Sequence, residues 1–370
     1  MKYRLVSSLG WLLLAACASK GSPDGSQPDP SVRDLSTAAA ATADASSAEP
    51  IASIVASAFA STPPAASDHL AGSTIQKDAA YLASPILKGR KSGSEDEAAA
   101  AAWLANELDT AKILAFLGTH VVPFKYGRSG DRKSANVVGV VEPMGADRKE
   151  VVVLGAHYDH LGEHGQKTYW GAEDNASGTA VVLAVARQLR ERRGELGRPV
   201  VVAFFGSEET GLHGSTALVK AWDFKAHPIS SMVNVDMIGR PLVDQPGVWL
   251  AGTVLGVVPD VDPDKAVGVL LPDPAPASLE PIVREACKAN GIDAVLTKDL
   301  PDSIRPQIED MAKGRSDHAP FENKKVPFVF FSSGESSDYH QPSDTADKLS
   351  PAVLESRARA ILDTVIALSK

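Results

Sequence analysis

The sequence predicts an α/β fold, a three-layer sandwich in which helices flank a central mixed, mostly parallel sheet. Three observations carry this. Val151–Gly155, Val200–Phe205 and Ser231–Val235 are short, almost wholly apolar runs, the pattern of strands covered on both faces. Helical patterns alternate with them, which implies layers of helix on sheet. Each run also ends in polar residues: His157 and Asp159 after the first, Glu208 and Glu209 after the second, Asp236 after the third. Open α/β sheets bind ligands at the carboxyl ends of their strands. One sheet edge should therefore gather His157, Glu208, Glu209 and Asp236, with Asp174 arriving on a loop that leads into a helix.

In chain order, residues 1–17 carry Lys2 and Arg4 ahead of a short apolar core around Trp11–Leu14, which reads as a signal peptide. It ends in Leu14-Ala15-Ala16-Cys17, which resembles a bacterial lipobox, so Cys17 is expected to be lipidated and the protein held at the cell envelope. The location expected is the outer membrane, on its periplasmic or surface face. Residues 18–67 are rich in Ser, Ala, Pro, Asp, Gly and Thr and read as a disordered tether. Residues 68–370 form the globular part. Ser94 to Glu97 match a capping box, so a helix starts there. Thr119–Tyr126 and Ala135–Glu142 read as strands joined by a turn. Thr179–Arg193 is an amphipathic helix, Gly211–Ser215 a turn and Thr216–Trp222 a short helix. Residues 241–276 are Pro-, Asp- and Gly-rich, an insertion with one expected strand at Val248–Ala251. Leu279–Asn290 reads as a helix stopped by Gly291, Val326–Phe331 as a buried strand, and Ser350-Pro351 as the start of the last helix.

The net charge of -9, with both signs spread along the chain, argues against nucleic acid as the main partner. Two cysteines cannot build a disulfide framework. Cys287 lies in a helical pattern and is expected in the core.

His340 follows the strand Val326–Phe331 across a polar loop and completes a set with His157, Asp174, Glu209 and Asp236, leaving Glu208 spare. Two imidazoles and three carboxylates suit zinc, or less selectively manganese or cobalt. Five side chains exceed what one tetrahedral zinc needs. Two metals sharing one carboxylate account for all five, each with three protein ligands and room for a water between them.

At this point the chain resembles the di-zinc aminopeptidase family, which includes secreted bacterial leucine aminopeptidases and is related to glutamate carboxypeptidase II. The matching motifs are Gly155-Ala156-His157-Tyr158-Asp159, Asp174-Asn175-Ala176-Ser177-Gly178, Phe205-Gly206-Ser207-Glu208-Glu209, Asn234-Val235-Asp236-Met237 and Tyr339-His340-Gln341-Pro342, in the family's order. The resemblance implies a zinc-peptidase-like fold and two zinc ions. His157 and Asp236 would hold one ion, Glu209 and His340 the other, and Asp174 would bridge. It implies Glu208 as general base, Tyr339 as the group polarising the substrate carbonyl, and Asp159 as the acceptor for the second N–H of His157. It also implies a cis Asp174–Asn175 peptide. His160, His164 and His213 match no ligand position and read as polar loop residues. Ser316-Asp317-His318 reads as structural support, and Arg90 fits the family's N-terminal pattern without a role. Glu163–Trp170 are extra residues that could line the pocket. Glutaminyl cyclase activity is not expected, since those relatives use one zinc in a different motif context. The implied function is an exopeptidase acting on peptides, first an aminopeptidase. A carboxypeptidase or dipeptidase on the same metal core, or an inactive binding module, are the alternatives.

Overall fold

The computed structural model describes residues 68–145, 149–242, 261–302, 305, 306, 309 and 314–370. Among these, a nine-stranded sheet is built from β1 (Leu114–Ala115), β2 (Val121–Tyr126), β3 (Arg132–Val141), β4 (Val151–His157), β7 (Val200–Phe205), β8 (Ile229–Val235), β9 (Ala266–Leu270), β10 (Asp293–Leu296) and β11 (Phe328–Ser332). A separate hairpin pairs β5 (Gly162–His164) with β6 (Lys167–Tyr169). The order across the large sheet is β1-β3-β7-β4-β8-β11-β9-β10, with β2 also on β3. The centre, β7-β4-β8-β11, is parallel, while β3 and β9 join it antiparallel.

All seven residues of β4 and all six of β7 are buried. That is why these strands are apolar throughout: helices cover both faces. Val152, Leu154, Val200, Val202 and Phe204 face one core. The alternate residues Val151, Val153, Val201, Ala203 and Phe205 face the other. Each Val, Leu or Phe among them contributes about 1.5–3 kcal/mol on burial. Five helices contribute to the first core: α1 (Gly72–Leu82), α2 (Glu95–Thr110), α3 (Gly178–Glu191), α5 (Leu279–Ala289) and α7 (Pro351–Ser369). Cys287 is among their buried residues, as expected. The second core is closed by α4 (His213–Ala221) and α6 (Ala319–Glu322), through Leu218, Val219 and Phe321.

Register places the site. Parallel pairing sets His157 beside Phe205, Gly155 beside Asn234 and Phe331 beside Val235. The backbone hydrogen bonds continue one step beyond, from Tyr158 N to Phe205 O at 2.9 Å and from Asp236 N to Phe331 O at 3.1 Å. The residues that follow β4, β7, β8 and β11 therefore leave the sheet level with one another, at one edge.

Local signals explain the helix ends. Ser94 accepts from Glu97 N at 3.2 Å, and Ser350 accepts from Val353 N at 3.4 Å with Pro351 at the first helical position. The Glu97 half of the capping box is displaced: its carboxylate takes the Gly93 N–H at 2.6 Å and turns inward to Ser134 and Ser207. Helix α4 starts at His213, three residues before the expected Thr216, because Leu212 already supplies the left-handed residue that turns the chain. Strand β9 lies in the stretch read as an irregular insertion, and β10 was not expected. Both are short strands beyond β11, too brief to show a period. The strand expected at Val248–Ala251, the signal peptide and Cys17, and the tether at 18–67 lie outside the described residues. Among the described residues, no helix is long and apolar enough to cross a membrane.

Candidate metal centre

The four central strand ends and one loop converge. His157 closes β4, Glu209 follows β7, and Asp236 follows β8. His340 lies on the loop after β11, and Asp174 at a kink in the turn Ala172–Ser177 ahead of α3, where Asp174 and Asn175 leave helical geometry. His157 Nε2 lies 3.3 Å from Asp236 Oδ1 and 3.4 Å from Asp174 Oδ1. His340 Nε2 lies 3.1 Å from Asp174 Oδ2 and 3.1 Å from Glu209 Oε2. All five expected donors are brought together, in two groups that share Asp174, one carboxylate oxygen to each histidine.

Neighbouring backbone aims Asp174. The Asp174–Asn175 peptide is cis. The Asn175 side chain donates to Val235 O at 3.0 Å and accepts from Gly178 N and Met237 N. Asp344 accepts the amides of Glu173 and Asp174, while the Glu173 carboxylate accepts those of Gly239 and Arg240. Gly178 is required here, because a Cβ would stand 2.6 Å from Val235 O.

A cation fits this donor set. Asp174 Oδ2 and His340 Nε2 are buried and make no hydrogen bond, despite lying 3.1 Å apart. Donors held about 2.0–2.2 Å from a tetrahedral zinc lie about 3.3–3.5 Å from one another, close to the spacings seen. His157, Asp174 and Asp236 form one cluster of suitable donors, and His160, Asp174 and Glu209 form a second, beside His340.

In the protein alone, the carboxylates draw protons onto the imidazoles. Burial works to lower His340, but Asp174 and Glu209 outweigh it and raise it to about 10. Burial likewise opposes, and Glu208 and Asp236 override it, for His157, which is raised well above its ordinary value. Asp174 is held well below its ordinary value: burial raises it, and the neighbouring His157 and His340 imidazoles lower it more. Glu208 goes the other way, pushed well up by burial and by the Asp317, Glu209 and Asp236 carboxylates, against the pull of His157. Adjacent acids thus differ in kind, Glu209 being lowered on balance. Tyr339 stacks on His340 with ring centroids 3.9 Å apart. Burial, then the Asp174 and Glu209 charges, raise its phenol.

Three residues depart from the sequence reading. The expected contact between His157 and the Asp159 carboxylate is long, 3.8 Å; His157 Nδ1 instead lies 3.3 Å from the Asp159 backbone carbonyl. The carboxylate accepts from Ser92 Oγ at 2.5 Å, Glu208 N at 2.9 Å and Glu209 N at 3.3 Å, so it braces the acidic pair. His160 is not a polar loop residue: it is buried, with Nδ1 2.7 Å from Glu209 Oε1. Arg90 gains a role. Fully buried, it donates to the carbonyls of Leu82, Tyr158, Trp170 and Gly171, tying together the two ends of the His157–Asp174 loop. The extra residues of that loop form the β5-β6 hairpin. Ser316 Oγ donates to Asp236 Oδ2 at 2.7 Å and accepts from Asn234 at 2.8 Å, the support expected of that stretch. His164 and His213 stay outside the cluster. His164 is exposed on the hairpin, and His213 packs against Tyr126 with the rings tilted.

Similarity to known proteins agrees with this geometry. Leucine aminopeptidase 2 of Trichophyton equinum is 37% identical over 112 residues, 30% of this chain and 21% of that protein. Aminopeptidase YwaD of Bacillus subtilis is 33% identical over 110 residues, 30% of this chain and 23% of that protein. The match thus spans about a fifth of the length of these curated relatives. Among solved structures, the Legionella pneumophila LapA aminopeptidase superposes with a TM-score of 0.60 at 18% identity, covering 91% of this chain and 80% of that one. BSAP, a zinc aminopeptidase from Bacillus subtilis, gives 0.58 at 16%, covering 80% and 95%. A glutaminyl cyclase from Porphyromonas gingivalis also gives 0.58 at 16%, covering 81% and 99%. The shared fold thus hosts more than one chemistry, and the structural likeness shows the fold alone. The model of peptidase family M28 matches residues 136–244 and 288–365, a span that contains all five converging donors, and the chain belongs to that family.

Proposed function

We propose that this chain is a zinc-dependent exopeptidase, an aminopeptidase that removes N-terminal residues from peptides. In this reading His157, Asp174 and Asp236 hold one zinc, and Asp174, Glu209 and His340 hold a second. The observation that carries it is Asp174, whose two oxygens serve two histidine groups while Glu208 stands beside them as an uncommitted acid. Family membership and the names of the relatives, aminopeptidases among them, support the same reading.

Zinc would supply Lewis-acid polarisation of the scissile carbonyl and lower the pKa of a water to about 7. Glu208 takes a proton from the attacking water as its oxygen bonds to the carbonyl carbon. The proton then passes to the leaving nitrogen as the C–N bond breaks. Tyr339 donates its phenol hydrogen to the developing oxyanion. Asp159 holds Glu208 and Glu209 by their amides, and Ser316 holds Asp236.

The N-terminal segment adds a location. Leu14-Ala15-Ala16-Cys17 supports lipidation of Cys17 and attachment to the cell envelope, with residues 18–67 as a tether.

The test is a digest of free-ended, N-acetylated and C-amidated copies of one peptide by zinc-loaded protein. Cleavage abolished only by acetylation is expected. Cleavage abolished only by amidation would make the chain a carboxypeptidase. No cleavage of any copy would leave the fold as a binding module and overturn the proposal.

A further inference from the structure

His160 is the buried imidazole that the five-donor set does not use. Its backbone and one face of its ring are both held. Its backbone N–H bonds to Arg90 O at 3.1 Å. Gly171 lies against the ring so closely that a Cβ there would stand 2.4 Å from His160 Cγ, and Gly171 is itself held by the Arg90 guanidinium. Movement of the ring toward Gly171 would displace a residue that the Arg90 clamp holds.

Locked in this way, it addresses one atom. Nδ1 is 2.7 Å from Glu209 Oε1, and Nε2 is buried with no partner. A bond to a carboxylate needs the proton on Nδ1, and an Nδ1–H that donates cannot also bind a cation. The distances separate the two roles. Glu209 Oε2 lies 3.1 Å from His340 Nε2, while Oε1 lies 2.7 Å from His160 Nδ1. From His160 Nδ1 to Asp174 Oδ2 is 3.8 Å, longer than the 3.1 Å that His340 makes. The carboxylate of Glu209 is thus gripped at one oxygen and presented at the other.

We infer that His160 is a positioning residue for the second zinc: by holding Oε1 of Glu209 it fixes which oxygen faces the ion and at what angle. This rests on the two-zinc reading above. Partners that orient a ligand in this way typically govern about 10–100-fold in metal affinity. The effect should fall on the Glu209–His340 group and leave the His157–Asp236 group alone, because no bond joins His160 to His157 or Asp236.

The experiment measures zinc affinity by chelator competition on the intact chain, with His160→Ala, His160→Asn and the unaltered protein, together with melting of each in the metal-free state. Unaltered protein should bind two zinc ions; fewer than two would sink the two-zinc reading before any variant is compared. His160→Ala should weaken one ion about 10–100-fold and leave the other unchanged. His160→Asn places an amide N–H where Nδ1 stands and should restore most of the loss. The inference is overturned if His160→Ala binds both ions normally, or if Asn is as weak as Ala. It also fails if both ions weaken together as the metal-free protein loses stability, since that is a packing effect. Cobalt-loaded His160→Ala with the visible spectrum of a site short of one nitrogen would make His160 a ligand instead, and would likewise overturn it.

Discussion

Replacing Arg90 by methionine removes the guanidinium and keeps an apolar stem. The carbonyls of Leu82, Tyr158, Trp170 and Gly171 then lose a donor. A buried carbonyl without a partner costs about 1–3 kcal/mol, so four at about 2 kcal/mol amount to about 8 kcal/mol. Part of this is recovered. Burial lowers Arg90 to about 10 from 12.5, so the charged form is held there at a penalty. At about 1.4 kcal/mol per pH unit, removing the charge returns about 3 kcal/mol. The expected net loss is about 5 kcal/mol, as for breaking one partner of a buried charged network. For a domain of this size that lowers the melting midpoint by about 10 °C. Differential scanning calorimetry of metal-free protein reads the midpoint, and chelator competition reads zinc. Arg90→Lys, with a compact cation that cannot span four carbonyls, should fall between. A methionine variant melting within about 2 °C of the original, far short of that shift, would show that the clamp does not hold the His157–Asp174 loop.

Three further outcomes are expected. Glu208→Gln should keep its zinc and fold while kcat falls by about 10²–10⁴, whereas Glu209→Gln should bind zinc more weakly and regain activity when zinc is added; steady-state kinetics on an amino-acid anilide with metal analysis decides, and the opposite pattern reverses the roles. His318 is buried against Phe328 and Phe330 with both ring nitrogens unpartnered, and burial lowers it to about 4 from 6.5. Between those values the unfolded chain binds a proton that the folded one does not, so stability is full above pH 6.5 and falls toward pH 4 by about 3 kcal/mol; urea titrations should show His318→Phe flattening that window, and an unchanged slope counts against the assignment. Cys17→Ser should release the protein from membranes or leave it unprocessed with its peptidase domain intact, and finding the native protein wholly soluble on fractionation would refute the anchor.

What the sequence showed of this fold follows burial. Strands β4 and β7 are covered on both faces, so their apolar runs stand out, and the residues just past them were readable as an edge. The five donors were readable because each sits beside a strand end or in a motif of fixed order. Strands β9 and β10 were not, being five and four residues long at the far side of the sheet. His160 was invisible for another reason. Its partner Glu209 is 49 positions away, and the ring is aimed by Gly171, whose left-handed backbone (φ 59°) no local pattern announces. The carboxylate of Asp159 misled in the same way: a His-x-Asp spacing suggests a pair, but the Glu208 and Glu209 amides reach it first. Arg90 has only carbonyl partners, and carbonyls leave no trace in side-chain identity.

The central claim is that two zinc ions share Asp174. Anomalous diffraction at the zinc edge from zinc-loaded crystals tests it in one measurement. Two peaks about 3.5–4 Å apart are expected. One should contact His157 and Asp236, the other Glu209 and His340, with Asp174 reaching both at about 2.0–2.2 Å. A single peak, or a second peak that does not touch Asp174, would contradict the account.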